Sequence, residues 1–451
     1  MRAAIATRHP SPGQAEQNPV DWRTALHQAI ADLGQSHAVD MAALDGIAFS
    51  GGAHIGVLTD TDGTPLRPAI MWSDQRAVDE AARLAADGAV EEMTGNRPNA
   101  TWTLPQLLWL HTNEPETLAA TKKLFFAKDW LAFQLTGVHM SDTTEAVGSL
   151  MAGRDGGWHM DLQRMSGLPA RAFPPLATPM TKIGAVTDAA AQAFGMPAGL
   201  PVYQGAIDTS MEWLCAAPQT NDMASLKLAS AGVLAFSTPD VTPFPPVSFY
   251  PHIIDGLSYH AAGMSDCMGA IDWLRRTLTP QLDAAAFVKA AESAETGADG
   301  LLFYPYLSGA RAPFWDAALT AELYGLTRAH EAPAIARAAF EGVGHVLSAI
   351  WHDMTDRLDH RPTTLHVLGG GAQLDFFCQM LADMLDVTLL RGREHDCAFS
   401  TALLAATAAG ALPDLARAAQ NGHAQTGQFV PDSTAHARYA LNHDRFMARH
   451  K

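Results

Sequence analysis

Short strand patterns alternate with helical patterns along this chain, and that alternation constrains its fold more than any other feature. A buried-strand pattern at residues 46–50 precedes helical patterns that extend from residue 77 to residue 135. The strand pattern at residues 201–205 runs into a helix, and residues 365–368 lead through three glycines into another. Strands and helices that alternate in this way predict an α/β protein, with mixed sheets because some neighbouring strands form hairpins. No repeat of roughly 20 to 50 residues is visible, which argues against a solenoid.

The length and charge of the chain narrow the class of protein. The 451 residues predict two or three domains, and the Ala-, Pro- and Gly-rich stretch at residues 196–201 is the candidate boundary. A formal charge of −17 argues against nucleic acids and anionic membranes as partners, because both require a cationic surface. No run reaches the roughly 18 apolar residues of a membrane span, and the chain does not open on the apolar core of a signal peptide. The 4 cysteines form no CxxC pair. We therefore expect a cytoplasmic, multi-domain enzyme that acts on a small molecule.

Asp208 is the first candidate for chemistry. It follows a predicted strand and turn, and it precedes a predicted helix. A carboxylate at the end of a strand is well placed to accept a proton from a substrate hydroxyl. An aspartate in front of a helix is equally well explained as an N-cap, which contributes about 1 kcal/mol to stability. Residue type and position leave both interpretations open.

Two turns of small residues are candidates for phosphate or nucleotide binding. Residues 369–372, Gly-Gly-Gly-Ala, lie between a strand and a helix, where backbone N–H groups can approach an anion. Residues 228–233 place Ser230 at the tip of a predicted hairpin. Neither segment has GxGxxG or GxxxxGK[ST] spacing, so an ordinary tight turn explains each of them at least as well.

Polar and aromatic side chains follow the strand patterns of the first half. His54 follows one strand pattern, and Trp72, Asp74 and Arg76 follow the next. An aromatic plate beside charged and imidazole groups suits a sugar, which is bound by stacking and hydrogen bonds together. The alternatives are a structural histidine and a surface ion pair of little energetic value. The residues alone do not decide between them.

The order of these segments is more specific than any one of them, because it resembles the FGGY family of carbohydrate kinases from about residue 9 to residue 409. Residues 13–22 resemble the family's PGWxEQDPxDWW, residues 66–76 resemble RPAILWxDxR, and residues 127–131 resemble PKDYL. Residues 304–313 are similar to PYLSGERTP, and the segments at 325–327 and 369–372 complete the series. Within the family, the xylulokinase-like pentulose kinases are the most similar.

The resemblance implies an α/β fold of two ribonuclease-H-like domains, as in actin and hexokinase, with a nucleotide cleft between them. We expect residues 1–204 to form the sugar-binding domain and residues 205–451 the nucleotide-binding domain. The implied activity is ATP-dependent phosphorylation of a sugar hydroxyl, in the first place of a pentulose such as D-xylulose, with Mg²⁺ accompanying ATP. Gluconate, ribulose and polyols stay open as acceptors. The implied partners are the sugar and ATP, without nucleic acid or membrane, and a homodimer is the default oligomeric expectation.

The resemblance also implies residue roles. Asp208 occupies the position of the catalytic base, and His54 that of a substrate-binding histidine. Trp72, Asp74 and Arg76 would line or support the sugar pocket. The implied nucleotide-binding residues are Ser230, Gly232, Gly370, Gly371, Ala372 and Asp375. No residue is implied as a metal ligand.

Several positions depart from the family pattern, and most of them concern phosphate binding. Family members open with a hairpin that carries DxGTxxxK, and we expect this sequence to lack that first hairpin. Ala229 and Ala231 replace Gly and Ser in the second phosphate segment, where an alanine in left-handed conformation would cost roughly 1 kcal/mol. Ile207, Gln106 and Ala310 replace a glycine, a lysine and a glutamate.

These departures keep two alternatives to an active kinase open. The first is a catalytically impaired paralogue that binds the sugar or the nucleotide on the same fold, because phosphoryl transfer depends on positioning and charge neutralisation. The second is an interaction protein of the actin-like superfamily. The retained Asp208, His54, Trp72 and Asp74 argue against the second alternative.

Overall fold

The computed structural model describes residues 3–36, 39–216, 223–239, 242–316, 318–393, 397–422 and 424–450. Its helices are α1 (Pro19–Ser36), α2 (Val78–Asp87), α3 (Ala89–Thr94), α4 (Thr103–Asn113), α5 (Pro115–Ala120), α6 (Ala127–Thr136), α7 (Thr143–Gly148), α8 (Met160–Met165), α9 (Asp188–Phe194), α10 (Asp208–Ala216), α11 (Met268–Leu278), α12 (Ala284–Ser293), α13 (Ala332–Leu358), α14 (Asp375–Leu385), α15 (Cys397–Ala408), α16 (Leu415–Gly422) and α17 (Ser433–Met447). None of the helices in these ranges is both long enough and apolar enough to cross a membrane.

The strands are β1 (Glu16–Gln17), β2 (Ile47–Gly51), β3 (Gly56–Thr59), β4 (Ala69–Ile70), β5 (Lys123–Phe126), β6 (Ser141–Asp142), β7 (Leu176–Ala177), β8 (Lys182–Ala185), β9 (Pro201–Ile207), β10 (Met223–Leu228), β11 (Gly232–Thr238), β12 (Ser248–Pro251), β13 (Ser258–Met264), β14 (Leu302–Tyr304), β15 (Glu322–Tyr324), β16 (Thr364–Leu368), β17 (Thr388–Gly392) and β18 (Gln425–Phe429).

The first half of the chain contains a three-stranded sheet in the order β2-β9-β8. Strands β2 and β9 are parallel, whereas β8 is antiparallel to β9. Phe49, Leu135 and Val202 lie in the buried cluster that this sheet forms with α6 and α9. Within the described residues β2 pairs on one side only, and its open side forms a groove with α15. The first half therefore has one sheet edge that is covered by a helix rather than by a strand.

The second half contains a seven-stranded mixed sheet in the order β12-β13-β11-β10-β16-β17-β18. The central strands β10, β16 and β17 are parallel, and the flanking pairs are antiparallel. The long helix α13 packs on this sheet and buries Phe340, Leu347 and Trp351 in the largest apolar cluster. The predicted α/β class with mixed sheets is confirmed by this topology.

An apolar cluster joins the two halves. Tyr250 of β12 and Tyr259 of β13 pack in it together with Trp102 and Val147 of the first half. Ile207, the last residue of β9, belongs to the same cluster. Strand β9 itself runs through the predicted boundary between residues 204 and 205 as part of the first sheet. The position of the domain boundary stays a prediction.

Gly205 allows β9 to pair closely with β2 where the register between the two strands is irregular. Its φ is +70°, and a Cβ atom at this position would lie 1.8 Å from the carbonyl oxygen of Phe49. Neither the left-handed backbone nor the close contact tolerates a side chain. Glycine at this position therefore fixes the path of the chain into Asp208, which begins α10 three residues later.

Candidate active site

Asp208 begins α10 at the point where β9 leaves the first sheet. Its Oδ1 accepts a hydrogen bond from the next residue, at 2.8 Å from the Thr209 backbone N, whereas a standard N-cap carboxylate reaches two or three residues onward. Burial raises the pKa of Asp208, and the nearby charge of Glu212 raises it further. The residue is not fully buried. Asp208 is therefore a carboxylate of increased basicity that remains accessible.

Aromatic side chains from both halves lie beside Asp208. The ring centroids of Trp102 and His54 are 5.2 Å apart, and those of Trp102 and Tyr250 are 6.0 Å apart. Tyr250 stacks on Tyr259 at 5.3 Å. Burial raises the pKa of the Tyr250 hydroxyl, and the carboxylate of Asp208 raises it further. The hydroxyl group of Tyr259 lies 3.1 Å from Ser210 Oγ, two residues after Asp208, so this wall of aromatic rings lies near the start of α10.

His54 is held by its backbone rather than by its ring. Its φ is +49°, its N–H donates to Glu145 Oε2 at 2.8 Å, and its carbonyl accepts from Thr103 Oγ1 at 2.7 Å. Burial lowers the pKa of the imidazole to about 4, so the ring is neutral at physiological pH. Its buried Nδ1 has no hydrogen-bond partner within the described residues. The ring therefore has one buried polar atom that the described residues leave unsatisfied.

A buried ionic cluster lies behind His54. Lys128 Nζ lies 2.5 Å from Asp129 Oδ1 and 2.5 Å from Asp142 Oδ2, and all three side chains are fully buried. Burial alone would lower the pKa of Lys128, but these carboxylates and Glu145 outweigh it and raise it. Burial raises the pKa of Glu145 well above its ordinary value. The cluster thus supports the backbone of His54 through the Glu145 carboxyl group.

Trp72, Asp74 and Arg76 occupy two different environments. Trp72 is 61% exposed and lies near Gly52, two residues before His54. Asp74 is fully buried and accepts from the Ala15 N–H at 2.6 Å and from Arg76 Nη2 at 2.8 Å. The alternative of a surface ion pair is wrong, because the side chain of Arg76 is only 3% exposed. Asp74 and Arg76 tie the segment after β4 to the segment before β1, while Trp72 is open to solvent.

The turn at residues 229–231 connects β10 to β11. Its carbonyl groups hold the start of α11, since Ser230 O accepts from Cys267 N at 2.8 Å and Ala229 O accepts from Met268 N at 3.0 Å. Neither Ala229 nor Ala231 has a positive φ, so the left-handed penalty considered for alanine does not arise here. Ser230 is exposed at the tip of the turn and Gly232 is buried at its end. The turn is therefore an unstrained loop with an open tip.

The glycines at 369–371 press against this turn. Gly369 has a φ of +89°, and a Cβ atom there would lie 2.6 Å from the carbonyl oxygen of Leu228. A Cβ atom at Gly371 would lie 2.8 Å from the Cβ atom of Leu228, whereas one at Gly370 would meet no heavy atom within 4 Å. Gly369 and Gly371 thus bring the two candidate nucleotide segments together, and Gly370 faces open space. This arrangement fits a ligand that must approach the backbone closely.

Ala372 and Asp375 complete this segment. Ala372 is buried, and its carbonyl accepts from Arg391 Nη1 at 3.0 Å. The carboxylate of Asp375 is 75% exposed and lies 2.7 Å from the same guanidinium nitrogen.

Within the described ranges, no group of three or more His, Cys, Asp and Glu side chains is arranged to hold a metal ion.

The structure also brings in residues that the sequence interpretation did not single out, namely Trp102, Glu145, Tyr250 and Arg311. Trp102 and Tyr250 contact each other across the two halves, and Glu145 binds the backbone of His54. Only Arg311 lies in a segment with a motif signal. The others are recognised by packing between elements that are distant in sequence.

Two family models match the chain in succession. Residues 1–215 match the N-terminal domain of the FGGY family of carbohydrate kinases, and residues 230–409 match its C-terminal domain. Together the two matches extend over both halves of the fold described above.

Individual kinases are similar over most of the chain. The xylulose kinase of Bacillus subtilis (strain 168) is 28% identical over 444 residues, which cover 96% of this chain and 88% of that kinase. The xylulose kinase of Escherichia coli (strain K12) is 31% identical over 386 residues, which cover 84% of this chain and 78% of that kinase. The crystal structure of a xyloylose kinase from Brucella ovis matches with a TM-score of 0.93 at 26% identity, covering 98% of this chain and 92% of that one. These similarities confirm the predicted two-domain α/β fold.

Proposed function

Because this chain belongs to the FGGY family of carbohydrate kinases, we propose that it transfers the γ-phosphoryl group of ATP to a hydroxyl group of a pentulose, with D-xylulose as the first candidate. A phosphotransferase acting on a sugar is the activity of the family. The choice of D-xylulose is supported by the xylulose kinases of Bacillus subtilis and Escherichia coli that this chain resembles.

Asp208 is the proposed general base, and its setting is the observation that carries the mechanism. Asp208 is partly exposed, burial raises its pKa, and its charge raises the pKa of the Tyr250 hydroxyl group. A base of increased pKa accepts the proton of the attacking hydroxyl more readily, and such catalysis is worth about 10²- to 10⁴-fold in rate. The deprotonated oxygen then attacks phosphorus while the bond to ADP breaks.

The sugar is proposed to bind beside the aromatic wall and His54, whose rings contact each other. Trp102 and Tyr250 supply apolar surface, and the unsatisfied Nδ1 of His54 supplies a polar contact for a hydroxyl group that reaches this buried atom. A neutral imidazole can donate or accept depending on its tautomer. The exposed Trp72, near Gly52, is the proposed outer edge of this pocket.

The nucleotide is proposed to bind along the turn at 229–231 and the glycines at 369–371. The exposed tip at Ser230 and the open space at Gly370 let phosphate and adenosine groups approach backbone N–H groups. Gly232, Gly371, Ala372 and Asp375 would complete the contacts. ATP supplies the phosphoryl group, and the accompanying Mg²⁺ neutralises charge on its phosphates.

A coupled assay of ADP release tests this function. We expect turnover with at least one of D-xylulose, L-xylulose, D-ribulose and D-gluconate, and Asp208→Asn should reduce kcat about 10²- to 10⁴-fold. Asp188→Asn is the matched control, because Asp188 also begins a helix, α9, but is exposed and distant from Asp208 in the sequence. It should leave kcat unchanged.

An absence of turnover would distinguish the proposed activity from its alternative. If the unmodified chain binds a sugar and ATP in a calorimeter but releases no ADP, the alternative of a catalytically impaired binding paralogue is correct and the proposed activity is wrong.

A further inference from the structure

Arg311 is a cation that the proposed mechanism does not use. It lies in the loop that follows β14, and its side chain is exposed. Backbone hydrogen bonds on both sides of Arg311 fix the loop, among them the following two. The Ala312 N–H donates to the carbonyl of Gly263 at 3.1 Å, and the Arg311 carbonyl accepts from Trp315 N at 2.8 Å. Because Gly263 belongs to β13, these contacts attach the loop to the sheet of the second half.

The guanidinium group of Arg311 lies over Gly263. A Cβ atom at Gly263 would lie 3.5 Å from both Cζ and Nη1 of Arg311, and 3.4 Å from the carbonyl oxygen of Gly232. Gly232 is the first residue after the turn at 229–231. The cationic group is therefore next to the segment that we propose to bind phosphate.

The same guanidinium group also acts on the candidate sugar site. The charges of Asp208 and Arg311 both influence the hydroxyl group of Tyr250. The ring of Tyr250 contacts Trp102, which in turn contacts His54. Arg311 thus lies beside the strand that follows the turn at 229–231, and its charge reaches the aromatic side of the candidate sugar site.

Arg311 differs from the neighbouring cations in having no carboxylate partner. Lys128 lies 2.5 Å from Asp129, and Lys227 lies 2.6 Å from Glu212. For Arg311, in contrast, no carboxylate of the described residues is within 4.0 Å. Although Arg311 retains contact with solvent, the protein atoms around its guanidinium group partly desolvate it and lower its pKa. A partly desolvated guanidinium group without a carboxylate partner is stabilised when an anion binds to it.

We infer that Arg311 binds the phosphoryl group at the position of transfer, and therefore also the phosphate of the sugar phosphate product. The inference rests on the proposed function, because it assumes that phosphate crosses the cleft from the turn at 229–231 to the sugar. The planar fork of a guanidinium group matches two phosphate oxygens, and its charge offsets the negative charge of the transferred group. A carboxylate on the sugar is the other anion that could reach Arg311.

Binding measurements separate these possibilities without relying on turnover. Calorimetric titrations with inorganic phosphate, D-xylulose, D-xylulose 5-phosphate and D-gluconate are compared for the unmodified chain, Arg311→Ala and Arg311→Lys. Arg361→Ala is the control, since the side chain of Arg361 is also about half exposed but belongs to the segment after α13. Circular dichroism verifies that each variant is folded.

We expect Arg311→Ala to weaken the binding of inorganic phosphate and of D-xylulose 5-phosphate about 10- to 100-fold, and to change the affinity for D-xylulose less than about 3-fold. The phosphate affinity of Arg311→Lys should lie between those of the unmodified chain and Arg311→Ala, because lysine retains the positive charge but lacks the planar guanidinium group. An unmodified chain that does not bind phosphate would overturn the inference. An equal loss of affinity for D-xylulose and D-xylulose 5-phosphate in Arg311→Ala would also overturn the inference. So would a loss of affinity for D-gluconate alone. Arg311-dependent phosphate binding without binding of any tested sugar would sustain the inference and refute the proposed choice of substrate.

Discussion

Glu212 tunes the basicity of Asp208 from one helical turn away. The two carboxylates are four residues apart on α10, and the charge of Glu212 contributes to the raised pKa of Asp208. Lys227 lies 2.6 Å from Glu212 and partly offsets that charge. The candidate base is thus controlled by a side chain that itself makes no hydrogen bond to it.

Replacing Glu212 with Gln should therefore move the acidic limb of the kcat/KM profile to lower pH. Loss of the negative charge, and the freed positive charge of Lys227, both lower the pKa of Asp208, so the base remains deprotonated at lower pH. The direction of this shift is measured from kcat/KM against pH with the preferred sugar. Glu292→Gln, at an exposed position on α12, is the control. An unchanged limb, or one moved to higher pH, contradicts the assignment of Asp208 as the base.

The order of the sequence motifs identified those residues whose position in the fold depends only on the segment that contains them. Asp208 at the end of β9 and Gly370 after β16 are of this kind, because a strand followed by a turn fixes where they lie. Tyr250 and Trp102 could not be predicted, since their contact forms between β12 and the start of α4. Asp74 was predicted to line or support the sugar pocket, with a surface ion pair as the alternative, because the sequence does not reveal burial. Its partner Ala15 is distant in the chain.

At the level of elements, the close pairing of β9 with β2 depends on one glycine. Gly205 and Gly199 have similar positive φ values of +70° and +79°, but a Cβ atom at Gly199 would meet no heavy atom within 4 Å. The two positions therefore separate the cost of left-handed backbone from the cost of a steric clash.

Gly205→Ala should destabilise the protein much more than Gly199→Ala. The first variant has both the left-handed strain and a clash with the Phe49 carbonyl, and we expect a loss of about 3 kcal/mol or more in the free energy of unfolding. The second has only the strain, about 1 kcal/mol. Urea denaturation followed by circular dichroism measures both values. Similar losses in the two variants would show that the strands can separate at little cost.

The alternation of strand and helix patterns predicted the class of the fold but not all of its strands. The hairpin of β10 and β11 was predicted, since two apolar runs flank a turn of small residues. The two-residue strands β1 and β4 pair across more than fifty intervening residues, with Gln17 opposite Ala69. Such short strands leave no periodic pattern, because they are set by the chain path and not by local sequence.

For the molecule as a whole, buried neutral histidines link stability to pH. Burial lowers the pKa of His54 and of His252 to about 4, and lowers that of His345 to about 3. Their unfolded-state pKa is about 6.5. As the pH falls below 6.5, the unfolded chain takes up protons on these residues and the folded protein does not. Each histidine therefore lowers the stability of the fold as the solution becomes more acidic.

His345 offers the clearest test of this linkage. It lies on α13 away from the candidate site, its ring packs 5.1 Å from Phe446 and 5.5 Å from His443, and neither ring nitrogen has a partner within the described residues. His443 also lowers the pKa of His345. Leucine has a similar volume, favours helix, and neither titrates nor carries an unsatisfied polar atom.

We expect His345→Leu to become more stable, relative to the unmodified chain, as the pH falls from 6 to 4. The difference in unfolding free energy should grow by about 1.4 kcal/mol per pH unit, the value for one proton taken up only by the unfolded state. Urea denaturation at pH 7, 6, 5 and 4.5 gives this difference directly, so groups with opposite pH dependence, such as Glu145, cancel between the two proteins. A difference that stays constant across this range would mean that His345 is protonated in the folded protein, and hence that water reaches the interface of α13 with α17.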